Sequence, residues 1–365
     1  MSVSVPAKRG VSAPAKEVAK ISPLLPIAVL LITSAQAYKV LHKHCLANPN
    51  GLQALSQLCA VQPGHYFANQ DADRATCLLV ESFKVAINDA ATYTLLLEFC
   101  PLVALMMLVG IISANRSSAG VAVRWGTTAT YLAMQIVTAA VTLPLYFSLI
   151  VWNSSSSARA SFVPSGVSRA LLPALACGYG VPVLAMMAPS ALTDSAAWEW
   201  AIASWQIFPI FVSVIGVVLA FCFTGVTGGQ TTSDAMMSTT FIVCTMDTVI
   251  LGSVAVHAYA LYFAHTSDLV LSSLIPSIEL SSLTQVMHAL FTFDFLGCMI
   301  AIWTLIFYDT TRFAGVGKTS LLSASFLAIF GTIFLGPGGA AAWAWSNIER
   351  ARLGALVADR PPKKM

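Results

Sequence analysis

Eight apolar blocks, each close to the length of a bilayer crossing, take up most of this chain: 21–40, 90–112, 127–151, 168–189, 197–222, 241–263, 285–307 and 320–344. A helix needs about 20 apolar residues to cross the hydrocarbon of a membrane. Backbone amides in lipid must be satisfied within their own segment, so the blocks read as helices and not as open strands. Charge agrees: 10% of residues are charged, against roughly 25% in a soluble domain, too few to cover a soluble surface. The expectation is an all-α, polytopic integral membrane bundle of about eight transmembrane helices. It has a basic N-terminal tail over 1–20, a single membrane domain over 21–344 holding a polar loop at 41–89, and a basic tail over 345–365. No internal repeat is evident.

The first block also has the pattern of a secretory signal. Lys8, Arg9, Lys16 and Lys20 precede the apolar run from Leu24 to Ile32, and Ala35-Gln36-Ala37 follows as a small-x-small site. An uncleaved signal-anchor is favoured, because the later spans already direct the chain to the membrane. With a cytoplasmic N-terminus, eight crossings place eleven Lys and Arg on the cytoplasmic side and eight on the other. Arg169 and Arg312 fall in the second group, and the bias puts both termini in the cytoplasm of an endoplasmic-reticulum protein. The sequons at Asn115 and Asn153 then lie on opposite sides. Cys45, Cys59 and Cys77 share the long loop, where an oxidising lumen would allow one disulfide. The basic residues flank helices and form no single face, so nucleic acid is not an expected partner; membrane lipid is.

Several chemistries are disfavoured. Six scattered histidines form no clustered boxes, and Gly317-Lys318-Thr319 lacks the glycine that a phosphate loop requires at Arg312. No aspartate-rich pair suits magnesium against a diphosphate; the nearest approach is Asp71 and Asp73, in a loop. Neither a metal nor a cofactor is expected. What remains is carboxyls at bilayer depth: Glu98, Asp247 and Asp294. A charged carboxylate there costs at least about 2.5–3.5 kcal/mol, so such groups face a cavity or a partner. Desolvation favours their neutral form, which can donate a proton. Gly297 shares the Asp294 face at i+3, and Pro101 removes an amide beside Glu98; both suit a cavity. Irregular backbone is expected at Trp205-Gln206-Ile-Phe208-Pro209 and at Leu335-Gly336-Pro337-Gly338-Gly339. Aromatic walls beside such breaks would stabilise positive charge developing on carbon.

Leu143-Pro144-Leu145-Tyr146-Phe147, Arg169-Ala-Leu-Leu-Pro173, Trp205-Gln206-Ile-Phe208-Pro209, Asp294 and Leu335-Gly-Pro-Gly-Gly339 occur in that order. Together they resemble the fungal membrane-bound terpene cyclases of the ascofuranone and paxilline pathways, over about residues 90–350. The resemblance implies cyclisation of a hydrophobic prenylated substrate, commonly an epoxidised one on an aromatic or indole core. It also implies functional coupling to a prenyltransferase and an epoxidising monooxygenase. The expected catalytic acids are Asp294, Glu98 and Asp247, and the expected substrate-binding residues are Trp205, Gln206, Phe208, Phe291 and Trp303. The rival reading is a proton-coupled small-molecule transporter that uses the same acids as a relay.

Overall fold

Within the apolar blocks the backbone closes its own hydrogen bonds, and every regular element among the described residues is helical. The computed structural model describes residues 22–61, 66, 69–154, 162–188, 194–224, 232–267, 275, 280–313 and 320–358. Helix α1 covers Leu24–Val40 and continues through a π-helical turn, Leu41–Leu46; a second π turn, Pro49–Gln53, leads into α2, Ala54–Val61. Then follow α3 (Gln70–Asn88), α4 (Ala90–Ala114), α5 (Val121–Val137) and α6 (Ala139–Trp152). Helices α7 (Ser165–Leu175) and α8 (Val181–Met187) are joined by the π turn Ala176–Gly180. Next come α9 (Ser195–Gln206), α10 (Phe208–Thr224), α11 (Thr232–Thr266) and α12 (Leu283–Arg312). Last, α13 (Leu321–Phe326) passes through Leu327–Gly331 into α14 (Thr332–Ala358). By length and apolar character six described helical runs could cross a bilayer, or seven if α9 and α10, bent by 65° at Ile207, form one span; one of the six, Leu321–Val357, is broken at Gly336. The polytopic helical bundle stands.

Two of the eight expected crossings do not cross. In a straight helix over 127–151, Thr127 and Tyr146 would lie about 28 Å apart at 1.5 Å per residue; instead their hydroxyls are 2.5 Å apart. The chain turns back at Thr138, whose φ is +87°. Helices α5 and α6 are therefore the arms of a re-entrant hairpin. With 14 residues, α6 is about 21 Å long, shorter than the hydrocarbon core. The last block behaves alike. A Cβ on Gly331 would lie 3.2 Å from that of Ala340, and Ala324 and Leu327 line one small pocket with Ala344 and Asn347. The second hairpin turns at Gly336, at φ +72°. Thr138 and Gly336 are the only positive-φ positions among the described residues.

The hairpins change the topology. Helices α4, α6, α12 and the returning arm of α14 run parallel; the first three end at one level, which α14 passes on its way to Ala358. Ser154 Oγ meets Tyr308 Oη at 2.8 Å, and Arg116 meets Glu349 at 2.5 Å. Asn115 and Asn153 share this end, since the Ser117 amide donates to the Phe162 carbonyl at 3.0 Å and Gly120 abuts the Asn153 side chain. The two-sided sequon expectation thus fails. Arg169 and Arg312 also move here, so described Lys and Arg divide as Arg116, Arg124, Arg169, Arg312, Arg350 and Arg352 against Lys39, Lys43, Arg74 and Lys84. Arg116, Asp309, Arg312, Glu349 and Arg352 are all buried and form an ion-pair network. The positive groups also lie near the C-termini of α4, α6 and α12, whose carbonyl dipoles favour cations. Helix α14 reaches Ala358, so residues read as a basic tail from 345 are packed helix as far as that.

At the opposite end, α2 and α3 form a roof, tied by the Cys59–Cys77 disulfide. The polar stretch from Asn69 is the start of α3, with the Asn69 side chain accepting the Asp71 and Ala72 amides. Lys84 of α3 donates to Glu199 of α9 at 2.8 Å and to Glu81 at 2.7 Å. Burial opposes its charge, but these hydrogen bonds outweigh burial and hold the ammonium above the ordinary lysine range.

Candidate active site

Because the α5–α6 hairpin stops short of the disulfide end, it leaves a gap in the bundle above its tip. That gap is a cavity of about 430 Å³, within the usual range for ligand sites of roughly 300–1,000 Å³. Its floor is the hairpin tip (Met134, Gln135, Thr138 and Ala139), and its roof is Leu55, Leu78, Leu79 and Phe83 of α2 and α3. Phe83, Phe99, Tyr179, Trp205 and Phe291 supply aromatic wall. Phe83 packs edge-on against both Trp205 and Phe291, with ring centroids 4.9 and 5.2 Å apart. Leu46, Leu52 and Ile136 at the rim are exposed, which gives an apolar mouth on the outside of the bundle.

Asp294 is the one carboxyl among the described residues that line this cavity. It is 9% exposed, and its Oδ1 accepts the Ala140 amide at 2.5 Å. Thr138 and the Ala139 amide also interact with it. Helix α6 has no side-chain cap of its own at Thr138, so an acid from α12 satisfies its first amides, where the helix dipole favours an acceptor. Gly297 makes this reach possible: a Cβ there would collide with Ala140, so only glycine lets α12 come so close. The i+3 face read from the sequence is this contact.

The other expected acids lie elsewhere. Glu98 does not line the cavity. It meets His257 Nδ1 at 2.5 Å, and His257 Nε2 lies 2.9 Å from the Ile333 carbonyl, at the second hairpin tip. Asp247 is half exposed, beside Arg350 at 3.9 Å, and belongs to neither group. Of the expected binding residues, Trp205 and Phe291 line the cavity. Phe208 stands behind that wall, packed on Trp205 and Tyr179 with centroids 5.3 and 4.8 Å apart. Gln206 is buried off the cavity with neither amide atom partnered among the described residues. Trp303 is buried against Phe307, also off the cavity. Gln135 lines the cavity with an unpartnered Nε2 among the described residues. Gln135 falls inside the expected 127–151 crossing, where a neutral amide is less costly at depth than a carboxyl and so stands out less. The indole N–H of Trp205 is likewise buried without an acceptor among the described residues. No described group of three or more His, Cys, Asp and Glu is placed to share a metal ion.

Bundle and cavity define a polytopic helical membrane protein with a largely apolar chamber in which, among the described residues, one carboxyl lies. The chain belongs to the CtvD domain family, which matches residues 27–351. Over 85 residues, 22% of the chain, it is 34% identical to "Terpene cyclase ctvD" of Aspergillus terreus, and it spans 24% of that relative's length. No solved structure matches the chain.

Proposed function

We propose that this chain is a membrane terpene cyclase in which Asp294 starts the reaction by protonating the substrate. The carrying observation is a carboxyl that, among the described residues, stands alone in an apolar, aromatic chamber; family membership and the name of the Aspergillus relative support it. A neutral acid fits the observed contact: its carbonyl oxygen accepts the Ala140 amide, and its hydroxyl can turn toward the chamber. The proton passes to an epoxide oxygen, the C–O bond breaks with its electron pair going to oxygen, and a nearby alkene supplies the pair for the new C–C bond. Phe83, Phe99, Phe291, Tyr179 and Trp205 are the aromatic groups for the travelling positive charge. Loss of a proton from the last cation ends the sequence, and Asp294 is reprotonated. The product is an isomer of the substrate.

The substrate class is a prenyl or epoxyprenyl chain on an aromatic or indole core, as in meroterpenoid or indole-terpenoid secondary metabolism. A prenyltransferase and an epoxidising monooxygenase would supply it. An apolar mouth suits a substrate dissolved in lipid, and a disulfide-tied roof suits an endoplasmic-reticulum lumen, with both termini cytoplasmic. Microsomes containing the protein should convert such a substrate to a product of identical mass without added magnesium or nucleotide. EDTA-sensitive turnover, or release of diphosphate, would overturn this mechanism; uptake without conversion would favour the transporter reading.

A further inference from the structure

The two hairpins belong to two copies of one unit. In each, a helix runs from the arginine end (α1, α11), another returns (α4, α12), and a re-entrant hairpin follows. Thr92 and His288 are 196 residues apart, and so are Glu98 and Asp294, Phe99 and Phe295, and Arg116 and Arg312. Two of these pairs touch their own counterparts: Thr92 Oγ1 is 3.2 Å from His288 Nδ1, and Phe99 meets Phe295 edge-on with centroids 6.1 Å apart. Contacts between counterparts mark a pseudo-two-fold axis between α4 and α12.

Both tips obey the same correspondence. Gly297 packs on Ala140, two residues past the Thr138 tip; Pro101, the counterpart of Gly297, packs on Gly338, two residues past the Gly336 tip. Ser34 of α1 donates to the Val141 carbonyl at 2.8 Å, while Ser253 of α11 accepts from the Gly339 amide at 2.8 Å. Leu145 and Trp152 are exposed, as are their counterparts Trp343 and Arg350. The acids are exchanged between units. Asp294 of the second copy caps the hairpin of the first, and Glu98 of the first sits at the tip of the second.

We infer that the fold is an internal duplication with exchanged hairpin tips, and that Glu98 is a positioning residue, not a proton donor to the substrate. Its half-site is filled by the His257 imidazole, which bridges the Glu98 carboxyl to the Ile333 carbonyl freed at the tip. Through α4, which also supplies Leu96, Phe99, Cys100 and Val103 to the cavity wall, the pair fixes the shape of the other half-site. What His257 needs from residue 98 is a hydrogen-bonding oxygen, and a glutamine amide provides one.

The catalytic half of this inference rests on the cyclase reading; the structural half does not. Glu98→Gln, Glu98→Ala, His257→Ala, the Glu98→Ala/His257→Ala double variant and Asp294→Asn would be purified as full-length proteins. Melting temperature without substrate and turnover with it would be measured for each. Glu98→Gln should keep the wild-type melting temperature and turn over within about 10-fold of wild type, below the roughly 100-fold or more that a general acid contributes. Glu98→Ala should lower both, and His257→Ala should add no further loss of melting temperature on top of it. A folded Glu98→Gln as inactive as Asp294→Asn would overturn the positioning role. Additive melting losses for Glu98→Ala and His257→Ala would overturn the Glu98–His257 bridge even if no substrate were turned over.

Discussion

Gly336→Ala tests the second hairpin where its geometry leaves least freedom. At φ +72° and ψ 164° a Cβ is strained whatever surrounds it, at a cost of about 1–3 kcal/mol. The added methyl would also sit 3.0 Å from His257 Cβ and 3.2 Å from Glu98 Oε2. Wedging it in costs about 1–3 kcal/mol more, giving about 2–6 kcal/mol in total. Gly252→Ala in α11 is the control, since nothing lies within 4 Å of its Cβ position; helix propensity there favours alanine by up to about 1 kcal/mol. Unfolding of both variants in mixed micelles, followed by circular dichroism, gives the comparison. A Gly336→Ala protein within about 0.5 kcal/mol of wild type, the range of an ordinary surface change, would refute the hairpin tip.

Three further outcomes follow from the same structure. Arg352→Met removes a buried partner of both Asp309 and Glu349 and should cost about 3–5 kcal/mol, whereas the exposed Arg350→Met should stay within about 0.5 kcal/mol in the same unfolding assay. Replacing Cys59 and Cys77 together by serine opens a loop with a sequence separation of 18 and should destabilise the roof by about 3 kcal/mol, read as faster proteolysis within residues 54–88. Glycan-acceptor loops inserted after Ser118 and Ser154 should give matching results, opposite to one inserted before Asn69; modification of one of the first two alone would contradict the α5–α6 hairpin.

The blocks, the helical class and the disulfide loop were legible because hydrophobic length and cysteine context speak directly to them. Direction was not. Hydropathy measures how long a segment is and not whether it returns, so 127–151 and 320–344 read as crossings. Gly336-Pro337-Gly338-Gly339 announced irregular backbone, but Thr138 is β-branched and gave no sign of a left-handed tip. All three acids were visible at depth, yet which way each points around its helix depends on tertiary packing. Asp294 faces the chamber, Glu98 faces His257, and Asp247 faces outward. The buried network had a signal that went unused: Asp309 with Arg312 and Glu349 with Arg352 are i, i+3 pairs on one helical face. The duplication escaped because it is carried by the heights of a few residues and not by sequence identity.

In the proposed mechanism the Asp294 carboxyl delivers the initiating proton. Asparagine at 294 keeps the size and can still accept the Ala140 amide, so the hairpin tip should hold and the melting temperature should be unchanged. It has no carboxylic proton to give. Turnover per folded molecule, measured in the same microsomes as wild type, should fall by roughly 100-fold or more. Wild-type turnover by a folded Asp294→Asn protein would rule out Asp294 as the proton donor.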